Sequence, residues 1–133
     1  MEKIKQFFSN NDQFAKHTGL ELLEADKGYA KVKMSIQPYH LNGVKTVHGG
    51  AIFTLADFAF AVASNSHGRV AMGVNGTISY MKAATAGTLF AEAHETSRNH
   101  KLGHYTVNIF DEQQELIAIV QGMVYRKEAE ISF

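Results

Sequence analysis

Residues 47–66 read VHGGAIFTLADFAFAVASNS, and between His48 and His67 the one formally charged side chain is Asp57. The run is longer than an ordinary strand and rich in helix formers, so it predicts a helix over about 48–66. A helix apolar on most sides must be covered on most sides. One sheet covers one side only, which leaves the rest to the N-terminal segment or to a second subunit.

The flanking sequence supplies that sheet. Residues 2–17 read as one or two short helices ending near Gly19. Residues 20–26 and 28–36 read as a hairpin around Asp26-Lys27-Gly28, with Ala30, Val32, Met34 and Ile36 alternating against Tyr29, Lys31, Lys33 and Ser35. The stretch QPYHLNGVKT is a loop carrying the only proline. Four strand-like runs follow at 69–81, 87–97, 103–111 and 115–126, and the tail 127–133 is expected to be loose. The prediction is a single α+β domain over 1–133, one long central helix on a curved antiparallel sheet of about six strands.

Charge and residue usage narrow the function classes. Thirteen basic residues balance thirteen acidic ones, so net charge draws the chain neither to nucleic acid nor to a membrane. With no cysteine there is no disulfide, thiolate zinc site or cysteine nucleophile. The first residues lack an apolar run of signal-peptide length, and Asp57 breaks the longest apolar stretch below membrane-spanning length. A cytoplasmic protein is expected.

At helical spacing, Asp57 shares a stripe with Gly50, Thr54, Ala61 and Ser64, all small or weakly polar. That stripe admits a close neighbour, either another helix or a slender ligand. Asp is a poor residue for a helix interior, and apolar surroundings raise its pKa. It is either a structural bridge to a hydroxyl or backbone amide, or a working carboxylate. His48-Gly49-Gly50 opens the same helix, where first-turn amides have no intrahelical partner and suit an oxygen that becomes negative. Asp57 lies about 13 Å along the helix from His48 and roughly half a turn out of phase. One helix therefore cannot bring both features to one carbonyl, and joint action requires two copies of the chain in a twofold dimer with composite sites.

The stretch LNGVKTVHGGAIFTLADFAFAVASNSHG resembles the signature of the hotdog-fold acyl-CoA thioesterases, in particular the phenylacetate-degradation (PaaI-type) family. The pattern is Asn-Gly, a short gap, His-Gly-Gly, then Leu-Ala-Asp, and the likeness continues over most of 18–127. The resemblance implies the hotdog fold, a long helix wrapped by a highly curved sheet, in homodimers and commonly homotetramers. It implies an acyl-CoA substrate and no separate cofactor or metal, coenzyme A being part of the substrate. It makes Asp57 the acid–base or nucleophilic carboxylate, with Asn42, His48 and Gly49 across the dimer interface. The Gly49 N–H would polarise the thioester carbonyl, Asn42 would hold the attacking water or a partner of Asp57, and His48 would orient the loop. Two departures stand out. Where some relatives have a Ser or Thr this chain has Gly73, with Asn75 or Thr77 as substitutes, and KAAT replaces a proline-containing loop that could reach the nucleotide end of coenzyme A.

The expected acyl slot lies beside the helix near Gly50 and Thr54, with Phe53, Phe58 and Phe60 as candidate lining, although each Phe also reads as plain core. Lys82, Arg98 and Lys101 are candidate contacts to the anionic coenzyme, each also a candidate for solvated surface. No G-x-S-x-G supplies a serine nucleophile, and His100 and His104 lack a third metal ligand. A non-catalytic acyl-CoA-binding or sensing module on the same fold is the rival reading.

Overall fold

The structure, a computed structural model, describes residues 1–133. Helices α1 (Glu2–Asn11) and α2 (Gln13–Thr18) are followed by β1 (Leu20–Asp26), β2 (Tyr29–Ser35) and a 3-10 turn at Pro38–His40. The central helix α3 (Gly49–Asn65) precedes β3 (Arg69–Tyr80), β4 (Thr88–Arg98), β5 (Leu102–Phe110) and β6 (Leu116–Glu130). The six strands form one antiparallel sheet in the order β1-β2-β4-β5-β6-β3, and α3 packs against every strand of it. This is the expected hotdog arrangement. No helix is long and apolar enough to cross a membrane.

Small residues let the helix sit close to the sheet. Ala30 faces Ala93 across β2 and β4, Val32 faces Ala91, and Met34 faces Leu89, all with no exposed surface. Leu55, Ala56, Ala59, Val62 and Ala63 of α3 are likewise fully buried against them. The N-terminal helices cover a second side: Ile4 and Ala15 are buried, and α1 and α2 both contact α3. Asp12 begins α2 by accepting the Ala15 N–H at 3.0 Å, and Gly19 ends it in the left-handed conformation at φ 83°. What stays open on α3 is the stripe of Gly50, Thr54 and Asp57.

One sequence expectation needed correcting. The tail is not loose from 127 onward: β6 runs to Glu130, which pairs with Arg69, and the Ile131 N–H bonds Gly68 O at 2.8 Å. Lys127–Glu130 carry no apolar alternation, but β3 offers them a ladder and Arg69 Nε donates to Lys127 O at 2.7 Å. The loop after β2 is a loop as expected, with a 3-10 turn at Pro38–His40. Buried His40 accepts the Gln37 N–H on Nδ1 at 2.9 Å, and its Nε2 donates to Thr18 O at 2.6 Å, tying that turn to the end of α2.

Candidate active site

The first turn of α3 is held by its own side chains. His48 is the N-cap, and its Nδ1 accepts the Gly50 N–H at 2.8 Å. The His48 carbonyl accepts from Ala51 and Ile52 at 2.9 and 3.2 Å. The Tyr80 hydroxyl donates to Gly49 O at 3.0 Å. A Cβ at position 49 would lie 2.9 Å from that hydroxyl, and one at position 50 would lie 3.0 Å from His48 Nδ1, so both glycines are needed for close approach. These bonds leave the Gly49 N–H as the first-turn amide without a partner. Because Nδ1 is an acceptor, the His48 proton sits on Nε2, and the ring orients the turn.

Asn42 builds the loop leading into this turn. Its Oδ1 accepts from the Val44 and Thr46 N–H groups at 3.0 and 3.1 Å, while Nδ2 donates to Thr46 Oγ1 at 2.9 Å. One Nδ2 hydrogen is left for a ligand. The KAAT loop is exposed at Lys82, Ala83 and Thr85, while Ala84 O accepts the Val47 N–H at 2.8 Å and ties the loop to the approach to the helix.

Asp57 stands apart from all of these. Its carboxylate makes no hydrogen bond or ion pair, and it lines a cleft of about 270 Å³ with Phe53, Phe60, Gly73, Asn75 and Gly76. The strand face opposite it is bare, because Phe60 and Phe53 lie 3.3 and 3.4 Å from where side chains would start at Gly73 and Gly76. Desolvation by the surrounding apolar walls raises the Asp57 pKa, although the residue is exposed in the single chain, and the negative charge of Asp12 raises it further. Of the two candidate substitutes on β3, Asn75 lines this cleft and Thr77 does not.

Within one chain the two halves of the site are separate. Gly49 opens into a cleft of about 340 Å³ with Val47, Tyr80, Met81 and Lys82, and Asp57 into the other, as the helical phase requires. Gly50 and Thr54 line a third and larger cleft of about 780 Å³, with Phe14, Tyr39, His48 and Ala51. There the Thr54 hydroxyl turns back onto Gly50 O at 2.8 Å.

Other predicted site residues lie elsewhere. Phe58 is buried beneath α1 and α2 beside Asp12 and Ala15, so Phe53 and Phe60 are the aromatic walls near Asp57 and Phe58 is core. The three basic residues do not form one patch. Lys82 is paired with Glu115 and lies 3.9 Å from Asp111 near the start of α3. Arg98 bonds Glu95 at 3.2 Å near the other end, beside His67, and Lys101 nearby has no ion pair. Burial works to raise the Glu95 pKa, but hydrogen bonds from His67 and Tyr105 and the charges of His67 and Arg98 hold it below the ordinary value. Sequence reading missed Phe14, Tyr39 and Tyr80. The first two are isolated aromatics on a short helix and a turn, where no periodicity marks a face; Tyr80 was legible only as the end of a strand.

Residues 44–118 match the family model described as the thioesterase superfamily. The chain belongs to that superfamily. It is 38% identical over 117 residues to the acyl-coenzyme A thioesterase PaaI of Escherichia coli, covering 87% of this chain and 84% of that one. The solved structure of E. coli PaaI, from the phenylacetic acid degradation operon, superimposes with a TM-score of 0.94 at 34% identity, covering 98% of this chain and 96% of that one. A variant of the phenylacetic acid degradation protein PaaI of Thermus thermophilus gives 0.83 at 33% identity, covering 86% and 98%. The thioesterase match spans the His-Gly-Gly turn, Asp57 and the whole of β3. The chain is a thioester hydrolase.

Proposed function

We propose that this chain hydrolyses aryl- or fatty-acyl-CoA thioesters to the free acid and coenzyme A, at sites shared between two copies. The observation that carries the reading is the division of labour along α3. One end is locked with the Gly49 N–H left open, and the other presents Asp57, unpaired, in a different cleft. A twofold pairing brings the Gly49 turn of one copy to Asp57 of the other. The surface for it is at hand: β3 pairs only with β6, leaving its other edge free, and Met72 and Val74 of β3 are exposed, as is Tyr80 at its Gly49 end. Dimers of this kind then assemble as tetramers.

In the reaction the thioester carbonyl oxygen accepts from the Gly49 N–H. Asp57 of the other copy takes a proton from water as the water oxygen attacks the carbonyl carbon. The tetrahedral intermediate collapses with cleavage of the C–S bond, and the departing thiolate is protonated to give coenzyme A. In the covalent variant the Asp57 carboxylate attacks first, and water hydrolyses the mixed anhydride. The remaining Nδ2 hydrogen of Asn42 holds the water or the carboxylate. Burial and the nearby charge of Asp12 raise the Asp57 pKa, which makes it a stronger base than an ordinary carboxylate. The acyl group lies along the Gly50–Thr54 stripe, and the reaction is placed in the cytoplasm, on the acids of phenylacetate breakdown or on other trapped acyl-CoA.

The test is thiol release from a panel of aryl and aliphatic acyl-CoAs, comparing wild type with Asp57→Asn at equal concentration of folded assembly. Turnover should fall a hundredfold or more in the variant. The acid limb of the wild-type rate profile should lie above the ordinary carboxylate range. Tight binding without hydrolysis by wild type would favour the acyl-CoA-binding reading instead.

A further inference from the structure

Tyr80 ends β3 with about half its surface, 52%, open to solvent, so the core does not require it. Its hydroxyl nevertheless donates to Gly49 O at 3.0 Å, and its ring Cζ lies 3.1 Å from the Cβ position of residue 49. That contact spans from the end of the sheet to the first turn of the helix.

The peptide it grips lies in the first turn of α3. Gly49-Gly50 has two residues free of side chains, and glycine populates far more of backbone space than any other residue. Its N–H end is held by His48 Nδ1 at 2.8 Å, from within the same turn. Its carbonyl end is held from the sheet, by Tyr80 alone among the side chains. The preceding peptide, which carries the Gly49 N–H, is fixed on its carbonyl side by Ala51 and Ile52. The direction of the open amide therefore depends on Gly49 φ and ψ, and Tyr80 is the outside restraint on the second of these.

We infer that Tyr80 is a positioning residue: its hydroxyl, by holding the Gly49 carbonyl, aims the Gly49 N–H at the developing oxyanion. The inference rests on the composite-site reading given above. A donor that is aimed in advance stabilises the transition state without reorganising, whereas small misplacements cost rate. Tyr80 acts through Gly49, so its removal weakens the chemical step and leaves ground-state binding of the acyl-CoA largely intact.

The variant is Tyr80→Phe, which keeps the ring and removes the hydroxyl. At saturating acyl-CoA, kcat should fall about tenfold, the rate equivalent of one ordinary hydrogen bond. KM should change by less than about twofold on the same reasoning, with the unfolding midpoint unmoved. In 1H–15N spectra of the unliganded protein the Gly49 and Gly50 amide resonances should shift or broaden in the variant. Wild-type kcat in Tyr80→Phe, or a loss carried entirely by KM, overturns the inference. If wild type releases no thiol from any acyl-CoA, the composite-site reading fails. The amide spectra then still decide whether Tyr80 holds the turn, and unchanged Gly49 and Gly50 resonances overturn it.

Discussion

Gly122 lies on β6 opposite Gly76, under the ring of Phe60. A methyl group there would sit 2.8 Å from Phe60 Cζ, 3.0 Å from Cε2 and 3.2 Å from the Asn75 carbonyl oxygen. Phe60 is 6% exposed and packs edge-on against fully buried Tyr105 at 5.8 Å, so the ring has little room to withdraw. Overpacking of this kind costs about 1–3 kcal/mol. Gly122 does not need a positive φ, so Ala also gains about 0.5–1 kcal/mol by restricting the unfolded chain. The net expectation for Gly122→Ala is a loss centred on about 1 kcal/mol, equivalent to roughly 4 °C in Tm for a chain of this size. Thermal and urea unfolding at matched protein concentration measure it, since assembly makes Tm concentration-dependent. Adding Phe60→Leu removes the colliding ring atoms, so the double variant should lose less stability than the two single losses added together. Stability equal to wild type, or strict additivity in the cycle, would refute the claim that Phe60 fixes position 122 as glycine. Because Phe60 also walls the Asp57 cleft, the single variant should lose activity as well.

Two further substitutions probe the frame around the site. Glu95→Gln tests the network at the far end of α3. Since the folded-state pKa of Glu95 is depressed, its ionised form contributes stability above its unfolded value of 4.5, and this is lost as pH falls through the lower folded value. Wild type should accordingly exceed the variant in stability at neutral pH and converge on it as pH falls below the unfolded value of 4.5 in acid-unfolding curves. His40→Ala leaves the Gln37 N–H and Thr18 carbonyl without their buried partner, and should cost about 2 kcal/mol in chemical denaturation. A change within about 0.5 kcal/mol would mean that water replaces the imidazole without loss.

Much of this was readable from the chain because the relevant physics is local. Alternation from Ala30 to Ile36 marks a strand with one buried face, and the length of the run after His48 marks the helix, so all the strands and α3 lie within a few residues of their expected bounds. The separation of Asp57 from the His-Gly-Gly turn follows from helical pitch alone. What could not be read depends on partners distant in sequence. Phe53, Phe58 and Phe60 are alike as letters, and only the placement of α1 and α2 on one side and β3 on the other makes Phe58 core and the other two cleft walls. Lys82 and Arg98 looked equally available, yet Glu115 and Glu95 engage them from strands whose register the sequence does not specify. Residues 127–130 owe their order to Arg69, which lies nearly sixty positions earlier.

The bare glycine face of β3 and the small-residue stripe of α3 make one argument when taken together. Either could serve close packing within the chain, as the alanines of β2 and β4 do beneath the buried side of the helix. Packing, however, would leave no room between Gly73, Gly76 and Asp57, and here a cleft remains. A Cβ on either glycine would start 3.3–3.4 Å from Phe60 or Phe53, so those rings keep the strand face bare and the space beside Asp57 stays unfilled. The carboxylate likewise has no side-chain or backbone partner within the chain that would make it a structural bridge. An unfilled cleft, an unpaired base and an unclaimed amide each lower stability relative to an available alternative. Their occurrence on one helix, spaced so that only a second copy can unite them, is what a site built across a twofold axis requires.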